Sequence, residues 1–292
     1  MKKVVIIGAN SGIARNFIFY LKNHDVDLRL YDIQDTHLDG ITTGYKKVNL
    51  LDVMDVKKID FKCDLVYIFS GKTGTIKGFM DIDGFVDVNE KLLLVILNEI
   101  VRQNCNCRVI YPSSRLVYDG CSVGAICENS KLFPKSIYAA EKVLAENVLK
   151  IYHDVFGLQF TIFRIAIPFG KLNPKISEYG IVAKLTCQAR EQHIITLYGS
   201  GESVRTFTHI IDICSVLWEG GNDVRTLNDI FNIGGVKYSI KELATFISDK
   251  YCAEITATKW PEMDAKVEVS NGWLDSAKID DILHMKYIDI TI

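Results

Sequence analysis

Val4-Val-Ile-Ile-Gly8-Ala-Asn-Ser-Gly12-Ile-Ala14 is the stretch that decides the fold. Val4 to Ile7 is an unbroken β-branched run stopped by a glycine, the pattern of a strand buried on both faces of a parallel sheet. From Ile13, apolar side chains at Ile13, Phe17 and Leu21 fall on one helical face. Leu28 to Tyr31 is the next strand and Asp32 ends it, which completes a βαβ unit. Outward from that unit, strand-like runs recur at Leu65 to Phe69, Arg108 to Tyr111 and Phe160 to Ile165, and helical stretches such as Asn89 to Val101 and Tyr138 to Tyr152 lie between them. This alternation predicts an α/β chain built on a Rossmann-type, doubly wound parallel sheet.

After Gly170 the rhythm changes to a loop with Pro174, a helix near Ile181 to Arg190 and a short strand at Ile194 to Tyr198. A further strand is expected at Ile230 to Ile233, and Ser239 with Glu242 three residues on reads as a capping box opening a helix through Lys250. The expected organisation is therefore a Rossmann domain over 1–170, rejoined by 205–235, with a smaller interleaved substrate-binding region from 171–204 and 236–292.

Among the 292 residues, 34 Lys plus Arg against 36 Asp plus Glu leave a formal charge of −2. There is no basic excess for nucleic-acid phosphates, so no nucleic-acid partner is expected. No apolar run approaches the roughly 20 residues of a membrane span, and Val4 to Ile7 is too short for a signal segment. A cytoplasmic protein without a membrane partner is expected. The eight cysteines are scattered, with only Cys105-Asn-Cys107 close together, so they read as reduced thiols and no metal is expected.

The glycine-bearing turn joins a buried strand to a helix, where backbone N–H groups can hold a pyrophosphate. Gly8, Ser11, Gly12 and Ile13 are the candidate contacts. Asp32 stands where a carboxylate can accept from an adenosine ribose and repel a 2′-phosphate, which favours NAD over NADP. The plainer alternative is a tight strand-helix turn beside a solvated acid, and the complete βαβ setting favours the dinucleotide.

Tyr138-Ala-Ala-Glu-Lys142 places a phenol and an ammonium on one helical face. To act as a base near neutral pH, a Tyr pKa near 10 must fall by roughly three units, a task assigned to the Lys142 cation and a bound cofactor. Ser113 and Ser114 follow Tyr111 at the carboxyl end of a strand, where open α/β sheets bind ligands.

On these residues the chain resembles the extended short-chain dehydrogenase/reductases, in the NAD-dependent epimerase/dehydratase group that modifies nucleotide sugars, from Lys3 to about Lys278. The resemblance implies that Ser114, Tyr138 and Lys142 are a catalytic triad, carried by Tyr111-Pro-Ser-Ser-Arg-Leu-Val-Tyr118 and Pro134-Lys-Ser-Ile-Tyr-Ala-Ala-Glu-Lys142. Lys142 would also hold the cofactor ribose, and Ser70 and Gly71 would let the cofactor approach the loop after the fourth strand. In Leu197-Tyr-Gly-Ser-Gly-Glu-Ser-Val-Arg-Thr-Phe-Thr-His-Ile-Ile-Asp212, Arg205 resembles the arginine that grips the substrate diphosphate. His209 and Asp212 read as residues that hold this segment in place.

Three departures narrow the reading. The turn has Gly8, Ser11 and Ala14 in one register and Gly8, Gly12 and Ala14 in another. Arg115 and Leu116 replace the Asp-Glu pair of the sugar-nucleotide 4,6-dehydratases, which argues against a dehydratase. Ile167 stands where many epimerases have Asn. The activity implied is a nucleotide-diphosphate-sugar 4-epimerase working through a transient 4-keto sugar. A 4-ketoreductase of 4-keto-6-deoxy sugar nucleotides is the rival, and a catalytically silent dinucleotide sensor the third alternative. A homodimer through the Asn89 and Tyr138 helices is also implied.

Overall fold

The structure is a computed structural model that describes residues 1–118, 123–267 and 271–290. At its centre β1 (Lys2–Ile7) lies between β2 (Val26–Asp32) and β4 (Leu65–Ile68). Outside β2 comes β3 (Tyr45–Lys47), and on the other side β5 (Arg108–Ser114) leads to the strands Gln159–Ile165 and Asp229–Asn232. All seven strands are parallel. The order reverses between β1 and β4, which opens the ligand crevice of a doubly wound sheet at their carboxyl ends.

The β1 run shows why the stretch must be central. Val5 and Ile7 enter the core layer with Val66, Val109, Ile96 and Leu149, whereas Val4 and Ile6 enter the opposite layer with Phe17, Tyr67, Ile110 and Leu217. All four are 0% exposed. Each such side chain contributes about 1.5–3 kcal/mol through burial, so polar residues could not alternate here as they do in half-exposed strands.

Several elements run beyond their sequence-based bounds. β5 continues through Ser113 and Ser114, because both pair with the neighbouring strand at Arg164 and Ile165. The helix expected from Asn89 begins as a wide π-turn over Val86–Lys91 and becomes α-helical at Leu92–Arg102, so Asn89 sits in the widened segment. Ile137–Phe156 is one long helix, capped by the Ser136 hydroxyl and ended by Gly157 at φ 73°.

The smaller region contains a three-stranded sheet of Val236–Ser239, Val204–His209 and Ile167–Phe169, and a two-stranded one of Glu254–Thr258 with Ile194–Tyr198. Val204–His209 pairs with strands of this smaller region, so 205–209 do not rejoin the central sheet. The return begins with the helix Ile210–Asn222, whose Ile213 and Leu217 are fully buried against the main core. Near the C-terminus, the helix Ala277–Leu283 also packs into the main core, through Ile279. The capping box is present, with Ser239 and Glu242 bonding each other's backbone N–H at the start of the helix Ile240–Tyr251.

Seven cysteines among the described residues are free thiols, and Cys121 lies outside those residues. Among the described residues, no helix is long and apolar enough to cross a membrane, and no group of three or more His, Cys, Asp or Glu could hold a metal ion.

Candidate active site

Gly8 has φ +79°, and a Cβ there would lie 2.5 Å from the Ser70 backbone nitrogen. Glycine is therefore required where the turn after β1 presses on the loop after β4. Gly8 and Ala9 donate their N–H groups to Tyr31 O, and the Ser11 N–H bonds Gly8 O. The Ser11 hydroxyl then accepts from Ala14 N at 3.3 Å as N-cap of α1 (Gly12–Tyr20). This fixes the register of the turn. The helix opens at Gly12, and Ser11, Gly12 and Ile13 wall a cavity of about 890 Å³. First-turn N–H groups have no partner within a helix, so this end is suited to an anion.

Asp32 walls a second cavity of about 300 Å³, which shares Ser11, Phe69, Ser70 and Gly71 with the first. Its carboxylate accepts from Asn10 N at 2.9 Å and Gln34 N at 3.2 Å. Among the described residues lining this smaller cavity, none is Lys or Arg, so nothing there would offset the repulsion between Asp32 and a 2′-phosphate. Sequence reasoning missed Asn10, whose side chain bonds Leu38 N and Thr36 O and so ties the turn to the loop after β2. A dinucleotide fits these residues: a glycine cradle, a helix N-terminus and a ribose acceptor lie along two joined cavities. Gly8, Ser11 to Ile13, Asp32, Ser70 and Gly71 would hold it.

Ser114, Tyr138 and Lys142 all wall the larger cavity. Ser114 ends β5, where its hydroxyl accepts from Leu116 N at 3.2 Å. Burial pushes the Tyr138 phenol up to about 12, and its hydrogen bond with Ser114 pulls the other way. Burial also pushes the Lys142 ammonium down to about 8, against the opposing pull of Glu146 and Glu141. Lys142 Nζ donates to Tyr111 Oη at 3.0 Å and Pro112 O at 2.8 Å, and it lies 5.8 Å from the centre of the Tyr138 ring. The expected fall in the Tyr138 pKa is therefore not produced by the protein's own groups, because removal from water penalises the phenolate and the ammonium alike.

Two buried networks hold these groups, and both were invisible in the sequence. Glu146, one turn after Lys142, accepts from Ser113 Oγ at 2.6 Å and takes a two-pronged contact from Arg164 at 2.9 and 2.6 Å. Arg164 also donates to Tyr118 Oη, which donates to Asn232. In the second network, Asn89 bonds both the N–H and the C=O of Lys72 and donates to Glu141 at 2.5 Å. Burial raises the Glu141 pKa. A Cβ on Gly71 would lie 3.3 Å from Asn89 Oδ1, so this pair shapes the loop that carries Ser70 and Gly71.

Arg205 is not brought to this constellation. It is 2% exposed, bonds Val204 O, and lines neither cavity. His209 Nδ1 accepts from Ile211 N as a helix N-cap, and Asp212 accepts from Ile288 N. Both hold backbone, in line with their reading from sequence. Arg115, Leu116 and Ile167 do wall the larger cavity.

Known proteins resemble this chain in sequence or in fold. An uncharacterized UDP-glucose epimerase of Bacillus subtilis is 26% identical over 190 residues, which make up 64% of this chain and only 58% of that protein. A putative UDP-glucose 4-epimerase of Methanocaldococcus jannaschii is 25% identical over 245 residues, 78% of each chain. The solved UDP-glucose 4-epimerase of Thermotoga maritima, with UDP-glucose, superposes with a TM-score of 0.84 at 18% identity, covering 96% of this chain and 91% of that one. Residues 4–234 match the NAD dependent epimerase/dehydratase family. The chain belongs to that family of enzymes, which act with NAD on nucleotide sugars.

Proposed function

We propose that this chain is an NAD-dependent 4-epimerase of nucleotide-diphosphate sugars. The observation that carries the reading is that Ser114, Tyr138 and Lys142 wall the same cavity as the dinucleotide turn Ser11 to Ile13. When bound, NAD supplies a reversible two-electron acceptor next to the sugar's carbon 4. Tyr138 takes and returns the proton of the 4-hydroxyl, and Ser114 orients that oxygen. Lys142 holds the cofactor ribose and supplies the positive charge that a phenolate needs once both groups are buried.

One further feature supports a diphosphate substrate beside a dinucleotide. A second helix, Gly180–Gln192, also opens on the larger cavity, where Tyr179, Gly180 and Ile181 form wall. The cavity thus meets two helix N-termini, each suited to a phosphate pair. Arg205 lines neither cavity, so this reading gives it no contact with the diphosphate. Leu94 on one helix and Leu144, Ile151 and Val155 on the long helix are exposed apolar side chains, which supports a homodimer through these helices. Light scattering should give twice the chain mass.

The deciding experiment incubates the protein, without added cofactor, with UDP-, dTDP-, GDP- and CDP-hexoses and follows the sugar by NMR. A new 4-stereoisomer is expected. No conversion, with NAD(P)H consumed only when a 4-keto-6-deoxy sugar nucleotide is supplied, would make the chain a ketoreductase.

A further inference from the structure

Part of the larger cavity's wall crosses the seam between the two regions. Gly12 opens α1 and belongs to the dinucleotide turn, whereas Tyr179 belongs to the smaller region and directly precedes the helix Gly180–Gln192. Both line the cavity. A Cβ on Gly12 would lie 3.3 Å from Tyr179 Cε1 and 3.8 Å from its Oη, so the phenol end of the ring rests on the first turn of α1. The loop that leads to Tyr179 is tied to the same helix. Asn16, fully buried, donates to Gly12 O at 2.9 Å and accepts from Leu172 N at 2.8 Å and Asn173 N at 2.9 Å. Asn173 and Lys175 both donate to Asp39, which also pairs with Arg15 of α1. These bonds anchor the loop that carries the ring to the turn it covers.

Among the described residues, the Tyr179 hydroxyl has no hydrogen-bond partner, and the side chain is left partly open to the cavity. Burial pushes the phenol up to about 12, so near neutral pH it keeps its proton and is a donor. We propose that Tyr179 is a cofactor-binding residue whose phenol donates a hydrogen bond to the diphosphate of NAD at the start of α1. The first-turn N–H groups of α1 meet the diphosphate from the central sheet, and Tyr179 meets it from the smaller region. A hydroxyl donating to an ionised phosphate forms a charge-assisted bond, which is stronger than one between neutral groups. The cofactor is thereby clasped by both regions, and its release requires the ring to come off Gly12. Such a clasp suits a cofactor that must take a hydride and return it within one turnover.

The inference rests on NAD binding at the Gly8 to Ala14 turn, and one set of titrations separates the two. The full-length chain, stripped of bound nucleotide, is titrated calorimetrically with NAD, and then with UDP-glucose at saturating NAD. The titrations are repeated for Tyr179→Phe and Tyr179→Ala. Tyr179→Phe, which loses only the hydroxyl, should bind NAD about tenfold more weakly, and Tyr179→Ala at least as weakly, while the affinity for UDP-glucose changes by less than about twofold. An unchanged NAD affinity in Tyr179→Phe overturns the clasp and leaves the NAD site intact. A loss confined to UDP-glucose, or equal for both ligands, overturns it as well. Failure of the wild type to bind NAD overturns both. In the wild type, saturating NAD should also shield Tyr179 from nitration by tetranitromethane, read by peptide mass. Equal nitration with and without NAD overturns the contact, which keeps the test decisive even if a variant does not fold.

Discussion

Lys142 and Glu146 lie one turn apart on the same buried helix, and the structure treats their charges in opposite ways. Glu146 is met by a charged partner, Arg164, and by the Ser113 hydroxyl, so its charge is matched and its lone pairs are occupied. Lys142 is met by a phenol and a carbonyl, neither of which carries charge, and burial drags it down to about 8. One turn of helix thus separates a charge with a charged hydrogen-bond partner from one whose hydrogen-bond partners are neutral. Lys142 lines the cavity, and Glu146 does not.

The largest effect should come from the residue beside the cavity cation. Tyr138→Phe removes only a hydroxyl, so turnover should fall by about 10²–10⁴-fold with an unchanged melting curve. A variant that lost stability and rate together would erase the distinction. On the architectural side, Glu146→Ala leaves Arg164 buried without its partner, and chemical denaturation should show a loss of about 3–5 kcal/mol.

Lys142→Met reverses that sign. The ordinary Lys pKa is about 10.4, and the folded value is near 8. Between those pH values the unfolded chain binds more protons than the folded one, so wild-type stability rises as pH increases from about 8 to 10.4, and the full penalty is present below 8. The Met variant should therefore be inactive, yet more stable by on the order of 2 kcal/mol near pH 7, with its advantage gone near pH 10.5. Urea titrations at the two pH values would show this, and a destabilised variant at pH 7 would mean that the bonds to Tyr111 and Pro112 outweigh burial. The smallest effect, a control far from both charges, is Ser239→Ala. Loss of its capping box should cost about 1 kcal/mol by thermal melting without altering turnover.

These contrasts also show where the sequence could be read. Val4 to Ile7, the Ser239 box and the Tyr138–Lys142 spacing are local patterns, and the observed strand, cap and shared helix face follow from them. Glu146 and Arg164 gave no signal, because an acid on a helix and an arginine on a strand look like surface charges until folding brings them together. Asn10 likewise draws its meaning from partners at Thr36 and Leu38. The upward shift of Tyr138 in the chain alone was illegible for a related reason. Spacing reveals that Tyr138 and Lys142 share a face, but only packing reveals how little water reaches them.

The way the two regions are sewn together bears on how such a protein can be remade. Only Ala166 separates the central strand Gln159–Ile165 from Ile167–Phe169 of the smaller sheet, and the chain returns at Ile210, leaves at Val236 and returns again by Ala277. A gene for it cannot be cut once to give two self-sufficient halves. A single crossover with a relative after Phe169 would pair a central sheet from one parent with an edge strand, two packing helices and a substrate wall from the other. Hybrids of altered sugar preference would have to exchange separate short segments, such as 167–209 and 236–275, while leaving 210–235 with its own core.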